Sequence, residues 1–138
     1  HAGWRGVAAG ILTTAISQLE ASGCRREQLL VALGPAVSGI NYQVERSTSE
    51  QLGPIDALQA AGALLDDPQQ GRDRLDIRRA AHWQLLQFGL KPEQISICPL
   101  CTVAEPELFH SWRRDQVKAV QWSGIVGQAA SGDGCTTS

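Results

Sequence analysis

No stretch of the 138-residue sequence approaches the roughly 20 consecutive apolar residues that a membrane helix needs, so no membrane partner is expected. The opening residues carry no basic segment followed by an apolar one, which predicts no signal peptide in what is shown. Four cysteines, Cys24, Cys98, Cys101 and Cys135, are too few for a disulfide scaffold of this length, and reduced thiols in a cytoplasmic protein are the simpler expectation. A net charge of −2, with no basic run interleaved with aromatics, leaves no footprint for a nucleic acid. Internal repeats are absent. There is no Ser-His-Asp order and no glycine-rich phosphate loop followed by Lys, so those catalytic classes drop out.

What remains is enough for about one domain. Apolar residues at 43% can supply a core, and charged residues at 19% keep the chain out of the disordered class. Gly6 to Ala21 reads as one helix, because Val7, Ala8, Ile11, Leu12, Ala15, Ile16 and Leu19 fall on one half of the cylinder at about 100° per residue. Leu29 to Leu33, closed by Gly34-Pro35, reads as a short buried strand, and Tyr42 to Glu45 continues in extended form. Loops are expected from Ser47 to Gly71 around one helix over Asp56 to Leu65. Asp76 reads as an N-cap for a helix whose stripe is Ile77, Ala80, Ala81, Leu85 and Phe88, with Gly89 at its end. Strands are expected at Ile95-Ser96-Ile97 and at Lys118 to Trp122. The Gly, Ser and Thr of residues 127–138 predict a flexible tail. Strands separated by helices predict a mixed α/β class, with residues 1–126 as its ordered part.

The first six residues concentrate chemistry: His1-Ala2-Gly3-Trp4-Arg5-Gly6 places a metal-capable imidazole and a permanent planar cation around small residues at a helix start. Cys98-Pro99-Leu100-Cys101 has CxxC spacing, but two thiols alone are a weak zinc signal. His82 lies off the apolar stripe of its helix. Trp4, Trp83, Trp112 and Trp122 read mainly as core anchors, and Trp4 and Trp112 could also wall a pocket for a flat purine.

The hexapeptide is followed in order by Gly34-Pro35-Ala36-Val37, by Cys101-Thr102 and by Phe109-His110-Ser111-Trp112-Arg113-Arg114-Asp115. This succession resembles the laccase-domain family, also called the polyphenol-oxidase-like or peptidoglycan-editing-factor family. That family usually writes the last motif as Phe-Phe-Ser-Tyr-Arg-Arg; here His110 and Trp112 stand at two of the aromatic positions, and Ala81 stands where an Asn is usual. The resemblance covers residues 1–126. It implies a two-sheet, sandwich-like core with flanking helices, of which this chain is the C-terminal portion, truncated at its N-terminus.

It also implies a zinc-dependent purine nucleoside phosphorylase with adenosine deaminase side activity, acting on a purine nucleoside and phosphate. His1 would be one metal ligand, with a Cys and a further His preceding this hexapeptide in the family and absent here. Arg5 and Cys101 would be catalytic, and Trp4, Arg113 and Arg114 would bind substrate. On that basis the chain alone is expected to bind zinc weakly and to turn over nothing. Open sheet edges would favour aggregation or a homo-oligomer. Two other readings stand beside this one. A truncated copy could serve as a non-enzymatic fragment or interaction module. A copper oxidoreductase could bind Cu in place of Zn through the imidazole and α-amino group of an amino-terminal His, with His82 or His110 completing the site; three scattered His cannot build the multicopper cluster that the laccase label implies.

Overall fold

The structure, a computed structural model, describes residues 2–126. Helix α1 (Trp4–Ala8) and helix α2 (Ile11–Ala21) replace the single helix expected from the apolar stripe. The break is at Gly10, whose φ of 77° is left-handed and cannot continue a right-handed helix. Its carbonyl restarts the next helix by accepting from the Thr14 N–H at 3.0 Å and from the Thr13 and Thr14 hydroxyls at 2.9 and 3.0 Å. Strand β1 (Val31–Leu33), strand β2 (Gln43–Glu45), helix α3 (Arg46–Glu50) and helix α4 (Ile55–Ala60) follow. Helix α4 closes with the Gly62 N–H on the Gln59 carbonyl, and the chain turns into strand β3 (Leu64–Asp66) instead of staying helical to Leu65. Strand β4 (Arg72–Leu75), helix α5 (Ile77–Gln87), strand β5 (Ile95–Ile97) and helix α6 (Trp112–Asp115) complete the set.

The class is mixed α/β with two small sheets. Strands β2 and β3 flank β4 in an antiparallel sheet, with Val44 opposite Asp73 and Leu64 opposite Leu75. Strands β1 and β5 pair in parallel, Leu33 opposite Ile97. No strand forms at Lys118–Trp122. Val120 and Trp122 are exposed there, and no described strand lies alongside to take up the backbone groups. The expected tail, residues 127–138, lies outside the described residues, as does His1. No helix among the described residues is long and apolar enough to cross a membrane.

Two apolar clusters make the core. Val7, Val44, Leu52, Leu58, Leu64, Leu75, Ile77 and Ala80 pack behind the antiparallel sheet. Ile16, Leu85 and Leu90 pack with Val31, Leu33 and Ile95 beneath the parallel pair. Helix α5 supplies residues to both, its first turn to one and its third to the other, and Leu12 of α2 touches both as well.

The start of α5 is held by a compact polar device. Asp76 caps the helix, its carboxylate accepting from the Arg78 and Arg79 N–H groups at 3.1 and 3.4 Å. The Arg78 guanidinium forks onto both oxygens of the same carboxylate, at 3.2 and 2.9 Å, and both residues are buried. Its remaining nitrogen reaches the carbonyls of Cys98 and Leu100 at 2.7 and 2.8 Å. Those carbonyls need a partner because β1 and β5 fall out of step just beyond their ends. Ala36 bridges Cys101 in parallel, so Gly34 and Pro35 on one side oppose Cys98, Pro99 and Leu100 on the other. Arg78 fills the gap that this extra residue leaves in the ladder.

Replacing Arg78 by Ala would leave a buried carboxylate and two carbonyls without their donor. Stability should fall by about 3–5 kcal/mol, read as a lowered urea midpoint. Arg78→Lys should recover only part of the loss, because an ammonium lacks the fork that spans both partners.

Candidate functional site

Cys101 occupies the parallel bridge just past the mismatch, with a thiol only 7% exposed. The turn after Gly34-Pro35 wraps over it. Its sulfur accepts from the Ser38 N–H at 3.3 Å, the Ser38 hydroxyl at 3.2 Å and the Asn41 amide at 3.6 Å. The backbone N–H groups of Ala104 and Val103 point at it from the other side. Burial pushes the thiol up, but the Ser38 donors and these two N–H groups outweigh burial and bring its pKa down to about 7. A negative charge on Cys101 is therefore accessible at neutral pH. Cys24, Cys98 and Cys101 are free thiols.

The adjacent arginines of α6 point to different places. Arg114 donates to the carbonyls of Thr102, Phe109 and Val103 at 2.9, 2.9 and 3.3 Å and forks onto Asp115 at 2.6 and 2.7 Å. It clasps the loop that runs on from Cys101. Arg113 lies over the Tyr42 ring, 4.5 Å from its centroid, and reaches the Gln43 carbonyl at 3.4 Å. Ser111 caps α6 by accepting from the Arg114 N–H, while His110 and Trp112 are exposed.

Trp4 and Arg5 line a separate shallow hollow of ≈ 390 Å³, together with Ala8, Ala9 and Gln51. The Arg5 guanidinium stands 4.5 Å from the Trp4 ring centroid and is exposed. Among the described residues no carboxylate pairs with it. The helix break at Gly10 shortens α1 to five residues.

The structure thus brings Trp4 together with Arg5, and Cys101 into the loop that Arg114 holds, while Arg113 sits against Tyr42. Cys101, Arg113 and Arg114 do not line the Trp4–Arg5 hollow. Sequence reasoning did not single out Ser38, Asn41, Gln51 or the Asp76–Arg78 pair. Ser38 follows directly on the Gly34-Pro35-Ala36-Val37 motif, which is the one signal that could have pointed to it. Among the described residues no group of three or more His, Cys, Asp and Glu side chains could hold a metal ion, so these residues by themselves do not fit zinc. His82 is half-buried on α5 and His110 is exposed in the loop before α6.

The depressed Cys101 thiol carries a pH signature. A group whose folded pKa lies below its ordinary value stabilises the fold when ionised. Its contribution, on the order of 2 kcal/mol, is complete above pH 9.0 and is lost as pH falls through about 7. Ser38→Ala removes the hydroxyl donor, so its loss of stability relative to the parent should grow between pH 6 and 9 in urea unfolding. A pH-independent difference would contradict this account of the thiol.

A family model described as multi-copper polyphenol oxidoreductase laccase matches residues 1–128. A purine nucleoside phosphorylase of Synechocystis sp. is 39% identical over 142 residues, covering 91% of this chain and 54% of that protein. Purine nucleoside phosphorylase YlmD of Bacillus subtilis is 32% identical over 128 residues, covering 92% of this chain and 45% of that protein. Among solved structures, YlmD from Geobacillus stearothermophilus superposes with a TM-score of 0.73 at 29% identity, over 84% of this chain and 43% of that one. The chain spans about half the length of the curated relatives it matches.

Proposed function

Given that the chain belongs to the multi-copper polyphenol oxidoreductase laccase family, we propose that it carries part of the site of a zinc-dependent purine nucleoside phosphorylase with adenosine deaminase side activity. The observation that carries the reading is the name borne by its relatives in Synechocystis sp. and Bacillus subtilis, both purine nucleoside phosphorylases. The open hollow beside Trp4 and Arg5 supports it from the side of geometry.

In phosphorolysis a phosphate oxygen forms a bond to the anomeric carbon of the ribose while the bond from that carbon to the base breaks. The base leaves with the electron pair and takes up a proton. The sugar becomes cationic on the way, so holding the anionic nucleophile beside it is most of the task, and orientation contributes most of the rate. Arg5 offers five N–H donors in a planar fork that suits phosphate oxygens, and its charge has no carboxylate partner among the described residues. Trp4 would wall the flat base. Arg113 and Arg114 are proposed to bind substrate at the α6 end. Arg113 has only a carbonyl and an aromatic face to leave, whereas Arg114 already spends its donors on the loop after Cys101. Cys101, proposed as catalytic, is able to exchange a proton near neutral pH. His1 is proposed as one metal ligand, with zinc as the metal and copper the alternative. The same reading sets the protein in the cytoplasm and leaves its open sheet edges to self-association.

The test is phosphate-dependent release of free base from inosine. The chain by itself should turn over nothing. Joined to the stretch that its relatives possess outside the matched region, it should release hypoxanthine only when phosphate is present, and ammonia from adenosine more slowly. Arg5→Ala in that longer polypeptide should lower phosphorolysis by about tenfold or more, the loss of one charge-assisted contact to phosphate. Base release that ignores phosphate would overturn the assignment.

A further inference from the structure

Gln51 enters the Trp4–Arg5 hollow from a different part of the chain, at the C-terminal end of α3. Its amide is not free to turn either way. The Nε2 group donates to the Ser47 carbonyl at 2.9 Å, and a carbonyl can only accept, so the NH2 end is the one committed to the helix. The Oε1 end is left without a described donor. Ala8 and Ala9, which also line the hollow, bring no polar side-chain group to it. The hollow therefore presents three chemically distinct walls: the Trp4 ring, a cationic donor on Arg5, and one fixed acceptor on Gln51.

A ligand set that meets all three is a flat ring with an N–H donor on its edge for Gln51, together with an anion for Arg5. A purine base with a 6-oxo or 6-amino group has such an edge: the first places O6 beside N1–H, the second places N1 beside the amino N–H. Purine riboside, with hydrogen at position 6, keeps the N1 acceptor and has no donor there. We propose that Gln51 is a specificity-determining residue that accepts a hydrogen bond from the N–H of a 6-substituted purine base, while Arg5 serves the phosphate. The proposal rests on the reading of this hollow as a nucleoside site. It adds which edge of the base is read, and by which residue.

The experiment is calorimetric titration of the same longer polypeptide, without phosphate so that nothing turns over, with inosine and, separately, with purine riboside. The two differ only at the 6-position and N1, so they share the ribose and the stacking surface. Inosine should bind about three- to tenfold more tightly, the worth of one neutral hydrogen bond. In Gln51→Leu the two nucleosides should bind equally, with the affinity for purine riboside close to that of the parent. Gln51 is exposed, so the substitution leaves the core alone, and a circular dichroism spectrum matching the parent verifies the fold. Equal, measurable binding of both nucleosides by the parent, or a preference for inosine that survives in Gln51→Leu, overturns the role of Gln51 while leaving the site intact. Binding of neither nucleoside overturns the site itself and the role with it.

Discussion

Between the two sheets lies a buried ion pair on which both depend. Asp76 ends strand β4's side of the molecule, its own N–H bonded to the Ala63 carbonyl beside β3, and its carboxylate starts α5. Arg78, two residues on, answers that carboxylate and then crosses to the loop after β5. The antiparallel sheet, the helix that serves both cores and the parallel pair thus converge on one guanidinium. A buried charge pair is a weak source of net stability when compared with an apolar filling. What this one supplies is position, because its fork admits one arrangement of helix start and loop.

From that junction the chemistry of the Cys101 region follows by short steps. The loop held by Arg78 ends at Cys101, which is bridged to Ala36. The turn after Ala36 then lays the Ser38 N–H and hydroxyl against the sulfur. On its far side the loop is gripped by Arg114 through three carbonyls. Two arginines that sit on helices of different lengths therefore serve the same segment from opposite ends. The cationic hollow at Trp4 and Arg5 is built differently, from the short helix α1 and from Gln51 at the end of α3.

The parts legible in the sequence were those fixed by local chemistry. Asp76 before an apolar stripe marked α5 correctly at its start, and Ile95-Ser96-Ile97 formed the strand that its β-branched residues suggest. Strand β4 was hidden because Arg72-Asp73-Arg74 reads as a solvated charge run. Its burial becomes possible only when Arg46 pairs with Asp73 and Asp67 with Arg74 across the sheet. The helix over residues 6–21 followed its stripe faithfully but missed that Gly10 would leave the right-handed region. Lys118 to Trp122 has the apolar content of a strand and no described neighbour to pair with. The same division holds for the site. Trp4, Arg5 and Cys101 stood out within motifs, whereas Ser38 and Gln51 acquire their roles only through contacts with segments far away in the chain, and no spacing rule exposes those.

The one-residue mismatch between the parallel strands has a consequence for what faces the Ser38 turn. Side chains along an extended segment alternate sides, so an added position reverses which of them faces inward. Were the two segments to run on in unbroken register from Leu33 and Ile97, Leu100 would stand opposite Ala36 in place of Cys101, and an isobutyl group would be offered to five N–H and O–H donors that it cannot satisfy. The irregularity is thus what selects sulfur over hydrocarbon for that niche. The Arg78 contacts that tolerate it are, in effect, the guardians of the thiol's address.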